Sequence, residues 1–339
     1  MKPRLEIGFP LRQQKCFLFG EPYNSGQRVF QLNHNRSGIL LALQTLRLPV
    51  NSGVGVMAYN CHTVMEAVVQ AKLKPVFIDI TDELMIDYDD LDRKLPHISV
   101  LIVTHLFGIV NDVKHIREEF PHLIIIEDCA HAYGIENVYG DFAVFSIGQG
   151  KLPSIGDGGL LLVNNLCYLE QLMTLYNALP DYSLLQSVKL FFSMLIRSWM
   201  YSRCAYGWLT LPVKRKRSAA LNNGDFKPMK MCRGVSAIYA IEKGKVADKI
   251  KYRERNAEQI MDSIRTSGEM ESILGINAFM LVVKCQSPDV LREKLKGIGL
   301  DSATHFVNAI HWAKEFGYQS GECPTTELLI NHLLMIPTY

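Results

Sequence analysis

Lys151 lies in a glycine-rich stretch, FSIGQGKLPSIGDGG (145–159), five residues after Ser146. Upstream, IIIEDCAHAYG (124–134) ends an apolar run in the acidic pair Glu127-Asp128, with His131 three residues further on. A lysine amine can condense with an aldehyde, and an aspartate can keep a heteroaromatic nitrogen protonated so that its ring draws in electrons. Those are the two needs of a pyridoxal-phosphate (PLP) site. Hydroxyls and backbone N–H groups near helix starts bind its phosphate. Each residue also has a plainer reading: a solvated lysine, a turn aspartate, a core histidine. It is their order and spacing together that point to the cofactor.

Those side chains need a scaffold that brings them to one place. From about residue 36 to 165, Val/Ile/Leu runs alternate with helical patterns. The strand-like runs are GVGVMAY (53–59), PVFIDI (75–80), SVLIVTHLFG (99–108), LIIIEDCA (123–130) and FAVFSIG (142–148). They are continuously apolar rather than alternating, as in a parallel sheet buried on both faces. Helical spacing appears at 37–48, with Ser37 or Asn35 as the cap, and at 63–73 and 111–120. The expectation is an α/β fold in which ligands bind beyond the carboxyl ends of the strands. Tyr59, Asn60, Cys61, His62, His105, Asp128 and Ser146 then gather along one edge.

The organisation expected is a large unit over 1–230 and a long helix with a small α+β unit over 231–339. An apolar helical insertion at about 184–217 ends in the basic run Lys214-Arg215-Lys216-Arg217. Residues 235–264 read as one charged amphipathic helix that Gly244 can kink. At 339 residues, 48% hydrophobic and 21% charged, the composition is that of an ordinary globular protein. A net charge of +2 does not argue for a nucleic-acid partner. Eight cysteines form no C-x-x-C pair, so no zinc or redox motif is indicated. The start of the chain, MKPRLEIGFP, lacks a signal-peptide run, and no stretch reaches the ~18 apolar residues of a membrane span. A cytoplasmic protein is expected. The apolar stretch with its basic run is read either as packing on the protein or across a dimer, or as peripheral membrane contact.

The motifs resemble the DegT/DnrJ/StrS family of sugar aminotransferases: E-D-x-A-[QH]-A-x-G, then F-S-[FI]-x-x-x-K, then G-[ED]-G-G. The likeness extends through SGILLAL (37–43), AYNCHTVMEAV (58–68), KPVFIDI (74–80) and THLFG (104–108), and loosely to the helix at 235–264. It implies PLP fold-type I, with a large, mostly parallel sheet domain and a smaller C-terminal one. It further implies that Lys151 is the Schiff-base lysine and proton shuttle, that Asp128 pairs with the pyridine nitrogen, and that His131 lies on the ring's hydroxyl side. Ser146 binds phosphate with Ser37 and Arg36, although Ser37 serves equally as a helix cap. A homodimer is implied, with Arg233 reaching the neighbouring site, and the reaction moves an amino group from an amino acid such as glutamate to a nucleotide-linked ketosugar. Family members with His in place of this lysine act as dehydratases; Lys151 favours transamination. A non-sugar ketone as acceptor and a non-catalytic relative stay open. The chain also departs from the pattern. Ala58 to Thr63 replaces a proline-led segment whose aromatic stacks on the ring, leaving His62, then Tyr59, for that role. Gly148 stands where a histidine is common, and the sequence stops at MIPTY (335–339), where the relatives continue into further small-domain residues.

Overall fold

The computed structural model describes residues 2–3, 6–210, 226–265 and 270–339. Seven strands form the main sheet: β1 Val29–Leu32, β2 Gly53–Met57, β3 Lys74–Ile78, β4 Val100–Thr104, β5 Ile124–Asp128, β6 Phe142–Ser146 and β7 Gly159–Val163. Their order is β1-β7-β6-β5-β4-β2-β3, parallel from β6 to β3, with β7 antiparallel to both its neighbours. The five predicted strands are all present. The central ones are buried along their length because helices cover both faces, so β4 (VLIVT) needs no polar alternation. The short edge strand β1 is too brief to announce itself as a pattern.

Three further strands, β8 Glu271–Leu274, β9 Met280–Lys284 and β10 Leu333–Pro337, make a separate antiparallel sheet in the order β10-β9-β8. Leu281, Val283, Leu334 and Ile336 pack there against Ile260 and Ile264 of the helix Val246–Arg265. The predicted single helix at 235–264 is two, Arg233–Glu242 and Val246–Arg265, joined by a tighter turn at Lys243–Lys245. Gly244 sits in that turn, where its low helix propensity costs least.

Parallel strands end on one side, so β2, β4, β5 and β6 deliver residues 58–62, 105, 128 and 146 to a common edge. The helix Asn35–Thr45 is pressed onto β7 at that edge. A Cβ on Gly159 would lie 2.6 Å from the Asn35 nitrogen, and Gly158 beside it has φ of +108°, which other residues rarely adopt. The Gly-Gly pair is therefore what brings Asn35 within reach of β5.

Candidate active site

Asp128 closes β5 and is buried. Its Oδ1 accepts hydrogen bonds from Asn35 Nδ2 (3.0 Å) and from the Ala130 backbone N–H (3.1 Å). Burial pushes its carboxyl above the ordinary carboxylate range, outweighing Asn35, Ala130, Lys151 and His105, which favour the charged form. Lys151 follows β6 on a turn in which Gly150 has φ of +68° and the Lys151 N–H reaches the Gly148 carbonyl. Burial lowers the lysine pKa, against the opposing pull of Cys61 and Asp128. Its Nζ lies 5.6 Å from the Phe279 ring centroid. An amine and a carboxylate at this strand edge are thus each shifted by burial toward the neutral form, while each favours the other's charge.

His131 is buried, and its Nδ1 accepts the Phe107 backbone N–H at 3.2 Å. Burial, with help from Lys151 and His305, holds its pKa well below the ordinary histidine value, so the ring is neutral. A neutral ring that accepts at Nδ1 carries its proton on Nε2, which is then a donor. Phe107, Phe279 and Phe306 lie nearly parallel to the ring, with centroids 4.7 to 5.9 Å away. Asn277 Nδ2 donates to the His131 and Tyr133 carbonyls, fixing the backbone at that point.

Ser146 ends β6 at the same edge, with the Gly148 N–H 3.4 Å from its Oγ. His62, half-buried, stands at the start of the helix His62–Gln70. Its Nε2 is 3.6 Å from Glu66, and its ring packs against Trp312 at 4.9 Å. The bond to Cys61, with Glu66, raises its pKa against burial. Burial pushes the Cys61 thiol up, but His62 and Thr63 hold it below the ordinary value on balance.

Ser37, expected at the phosphate, stands in the protein interior. The residue is fully buried and its hydroxyl donates to Asn33 Oδ1 at 2.7 Å, because it lies on the face of its helix turned to the protein interior. Neither candidate cap closes the helix: His34 occupies the cap position with no side-chain bond, and the Asn35 amide goes to Asp128. The Arg36 side chain is engaged by Glu66 (2.8 Å) and lies over the Phe226 ring (4.5 Å). Tyr59, the second stacking choice, is fully buried and donates its hydroxyl to the His305 carbonyl at 2.7 Å, a bond between sheet and C-terminal segment. Arg233 is exposed beside Glu21 at 3.4 Å. The Lys214–Arg217 run lies outside the described residues.

Sequence reasoning missed Asn35 as a partner of Asp128, and it missed Phe279 and Phe306, since no local pattern links residues so far apart. His105, Glu127 and Cys129 lie close enough to suggest a metal. Their geometry argues for a structural role instead. His105 Nε2 meets Glu127 Oε2 at 3.0 Å, Nδ1 takes the Asn111 N–H, and Glu127 Oε1 takes the Tyr139 and Gly140 N–H groups.

One orphaned atom bears on a bound group. Asn35 Oδ1 is buried without a hydrogen-bond partner, beside a carboxylate whose two bonds both fall on Oδ1. A cationic ring N–H against Asp128 would supply the charge this buried edge lacks. The residues present therefore fit a protonated heterocycle that carries an aldehyde within reach of Lys151.

Residues 26–178 match the DegT/DnrJ/EryC1/StrS aminotransferase family. A GDP-perosamine synthase from Vibrio cholerae is 26% identical over 147 residues, 40% of this chain and 40% of that protein. An L-glutamine:2-deoxy-scyllo-inosose aminotransferase from Streptomyces kanamyceticus is 29% identical over 133 residues, 36% of this chain and 31% of that protein. The matched stretch thus spans well under half the length of these relatives. The fold agrees over nearly the whole chain with the aminotransferase TlmJ from Streptoalloteichus hindustanus. The TM-score is 0.76 at 16% identity, covering 99% of this chain and 93% of that one.

Proposed function

We propose, on the match of residues 26–178 to the DegT/DnrJ/EryC1/StrS aminotransferase family, that the chain is a PLP-dependent aminotransferase of that family. Its donor is an amino acid, glutamate in this reading, and its acceptor a ketosugar carried on a nucleotide. The observation that carries the reaction type is the half-buried Lys151, on the turn after β6, at the same strand edge as the buried Asp128 that closes β5. The acceptor class rests on the perosamine synthase likeness. A cyclic polyol ketone is the second acceptor to try, on the inosose aminotransferase likeness.

In this reading Asp128 holds the pyridine nitrogen, oriented by Asn35 through Oδ1. The His131 Nε2–H donates to the ring oxygen, and Ser146 binds at the phosphate end. His62 covers one ring face, braced by Trp312. When bound, PLP supplies an electron sink that acidifies the donor's Cα–H. Lys151 Nζ removes that proton and returns one to the acceptor, and burial shifts its pKa in the direction that favours the free amine this needs. The aromatic wall of Phe107, Phe279 and Phe306 keeps water from His131 and holds it neutral.

The test is the visible absorption of the PLP-loaded protein before and after glutamate, beside Lys151→Ala. A lysine-linked band that glutamate bleaches, and that the variant lacks, is the expected result. A fully loaded wild type without that band would remove Lys151 from the chemistry. A band that no amino acid bleaches would leave a binding protein instead of an enzyme.

A further inference from the structure

The helix Leu184–Met200 is apolar on opposite faces. Its inner face packs on the protein: Met194 is buried, the Phe191 ring lies 5.4 Å from both Phe9 and Phe17, and Ser198 Oγ accepts the Phe9 N–H. Its outer face carries Leu184, Leu185, Val188, Phe192, Ile196 and Trp199, exposed by 83, 63, 42, 56, 59 and 64%. From 185 onward the spacing of three and four residues lines these side chains up in one stripe along the helix. Single exposed leucines need no explanation, but a continuous stripe of large side chains marks a surface that something covers.

Charge indicates what covers it. Between Asp181 and Asp225 the sequence has no acidic residue, yet it carries Lys189, Arg197, Arg203 and the run Lys214 to Arg217. The chain as a whole is only +2, so the remainder is net acidic and the basic charge is concentrated in this segment. A second copy seated on the stripe across a two-fold axis would join two chains through the most basic stretch of their sequence. A bilayer surface bearing anionic lipid attracts it and accepts Phe, Trp, Leu and Ile side chains at the depth of the headgroups. Among the described residues no helix is long and apolar enough to cross a membrane, so this one would lie in the interface plane. We propose that the outer face of Leu184–Met200, bordered by the exposed Lys189, docks the protein on an anionic membrane surface. The inner face meets Ile155 and Gly156 of the loop that follows Lys151, so the docked helix borders the candidate site.

Flotation of the full-length, PLP-loaded protein with vesicles tests this. Phosphatidylcholine alone would be compared with a mixture holding about 30% phosphatidylglycerol, at about 0.1 and 0.5 M salt. We expect flotation with the anionic vesicles only, weakened about tenfold at the higher salt, where surface charge is screened. The triple variant Phe192→Ser, Ile196→Ser, Trp199→Ser should bind at least about tenfold more weakly while keeping its cofactor absorption, which shows that it folds. Changing Lys214 to Arg217 to Ser should remove the salt-sensitive part. A wild type that floats with neither vesicle overturns the proposal, as does a triple variant that floats like wild type. So does a wild-type dimer that becomes monomeric in the triple variant without any lipid binding, because a second copy then covers the stripe.

Discussion

At the scale of single residues, Asn35 and His131 show how burial sets protonation at this edge. Asn35 gives its amide to Asp128 and leaves its own carbonyl oxygen unpaired. Replacing it with Ala removes one of two bonds to a buried carboxylate, a loss of about 1.5 kcal/mol for a bond to a charged group. PLP affinity, followed by titrating the absorption band, should fall roughly tenfold. Unchanged affinity would show that Asp128 needs no help from Asn35. His131 makes a separate prediction about acid. Its folded pKa is depressed by burial, so below the ordinary histidine value of 6.5 the unfolded chain binds a proton that the native ring refuses. Stability is therefore intact above that pH and is lost as pH falls through it, by up to about 1.4 kcal/mol per pH unit. His131→Gln should flatten the fall in Tm between about pH 7 and 5. A slope equal to the wild type's would assign the acid sensitivity to another group.

At the scale of elements, the sequence was legible where one element carries its own signal. Continuous apolar runs gave β2 to β6 within a few residues, since strands buried on both faces leave no room for polar alternation. The placing of Asp128 and Ser146 at strand ends, and of His62 shortly beyond β2, followed from the same pattern. What could not be read was the facing of helix residues near a cap. Ser37 and Asn35 both suit an N-terminus by type, yet the tight contact at Gly159 turns one into the core and the other toward β5. Glycine substitutions separate these cases. In Gly159→Ala the new Cβ would meet Asn35 N and His34 C at 2.6 Å, atoms of the backbone that cannot swing aside. Overpacking of that kind costs about 1–3 kcal/mol. Gly244→Ala meets nothing within 4 Å and should stabilise the chain by about 0.5–1 kcal/mol through propensity and a less flexible unfolded state. Thermal unfolding of the two variants should move in opposite directions. A common sign would show that the Gly159 contact does not position the helix.

At the scale of the whole molecule, the two sheets share one buried hydrophobic cluster, and a few polar contacts that no local pattern announces cross the same boundary. Asp79, one residue past β3, is buried and accepts the Thr325 and Thr326 N–H groups and the Thr326 hydroxyl at 2.7 to 2.9 Å. Those donors belong to the start of the helix Pro324–Leu329, so a carboxylate from the large sheet caps a helix more than two hundred residues away in sequence. Tyr59 makes a single hydroxyl bond across the same divide, to His305. The two differ in what removal leaves behind. Tyr59→Phe keeps the ring against Phe107 and Phe306 and frees one carbonyl, a loss of about 1 kcal/mol. Asp79→Ala takes the acceptor from four donors at once, the Ile80 N–H as well as those of Thr325 and Thr326, a loss of about 3 kcal/mol or more. Because Phe306 and Phe279 reach His131 from the C-terminal segment, loosening that segment should also expose the histidine and weaken PLP retention. We therefore expect Asp79→Ala to lower Tm by several degrees more than Tyr59→Phe and to speed proteolysis C-terminal to residue 270. Equal effects of the two substitutions would mean that aromatic packing, and not the Asp79 cap, holds the small sheet to the site.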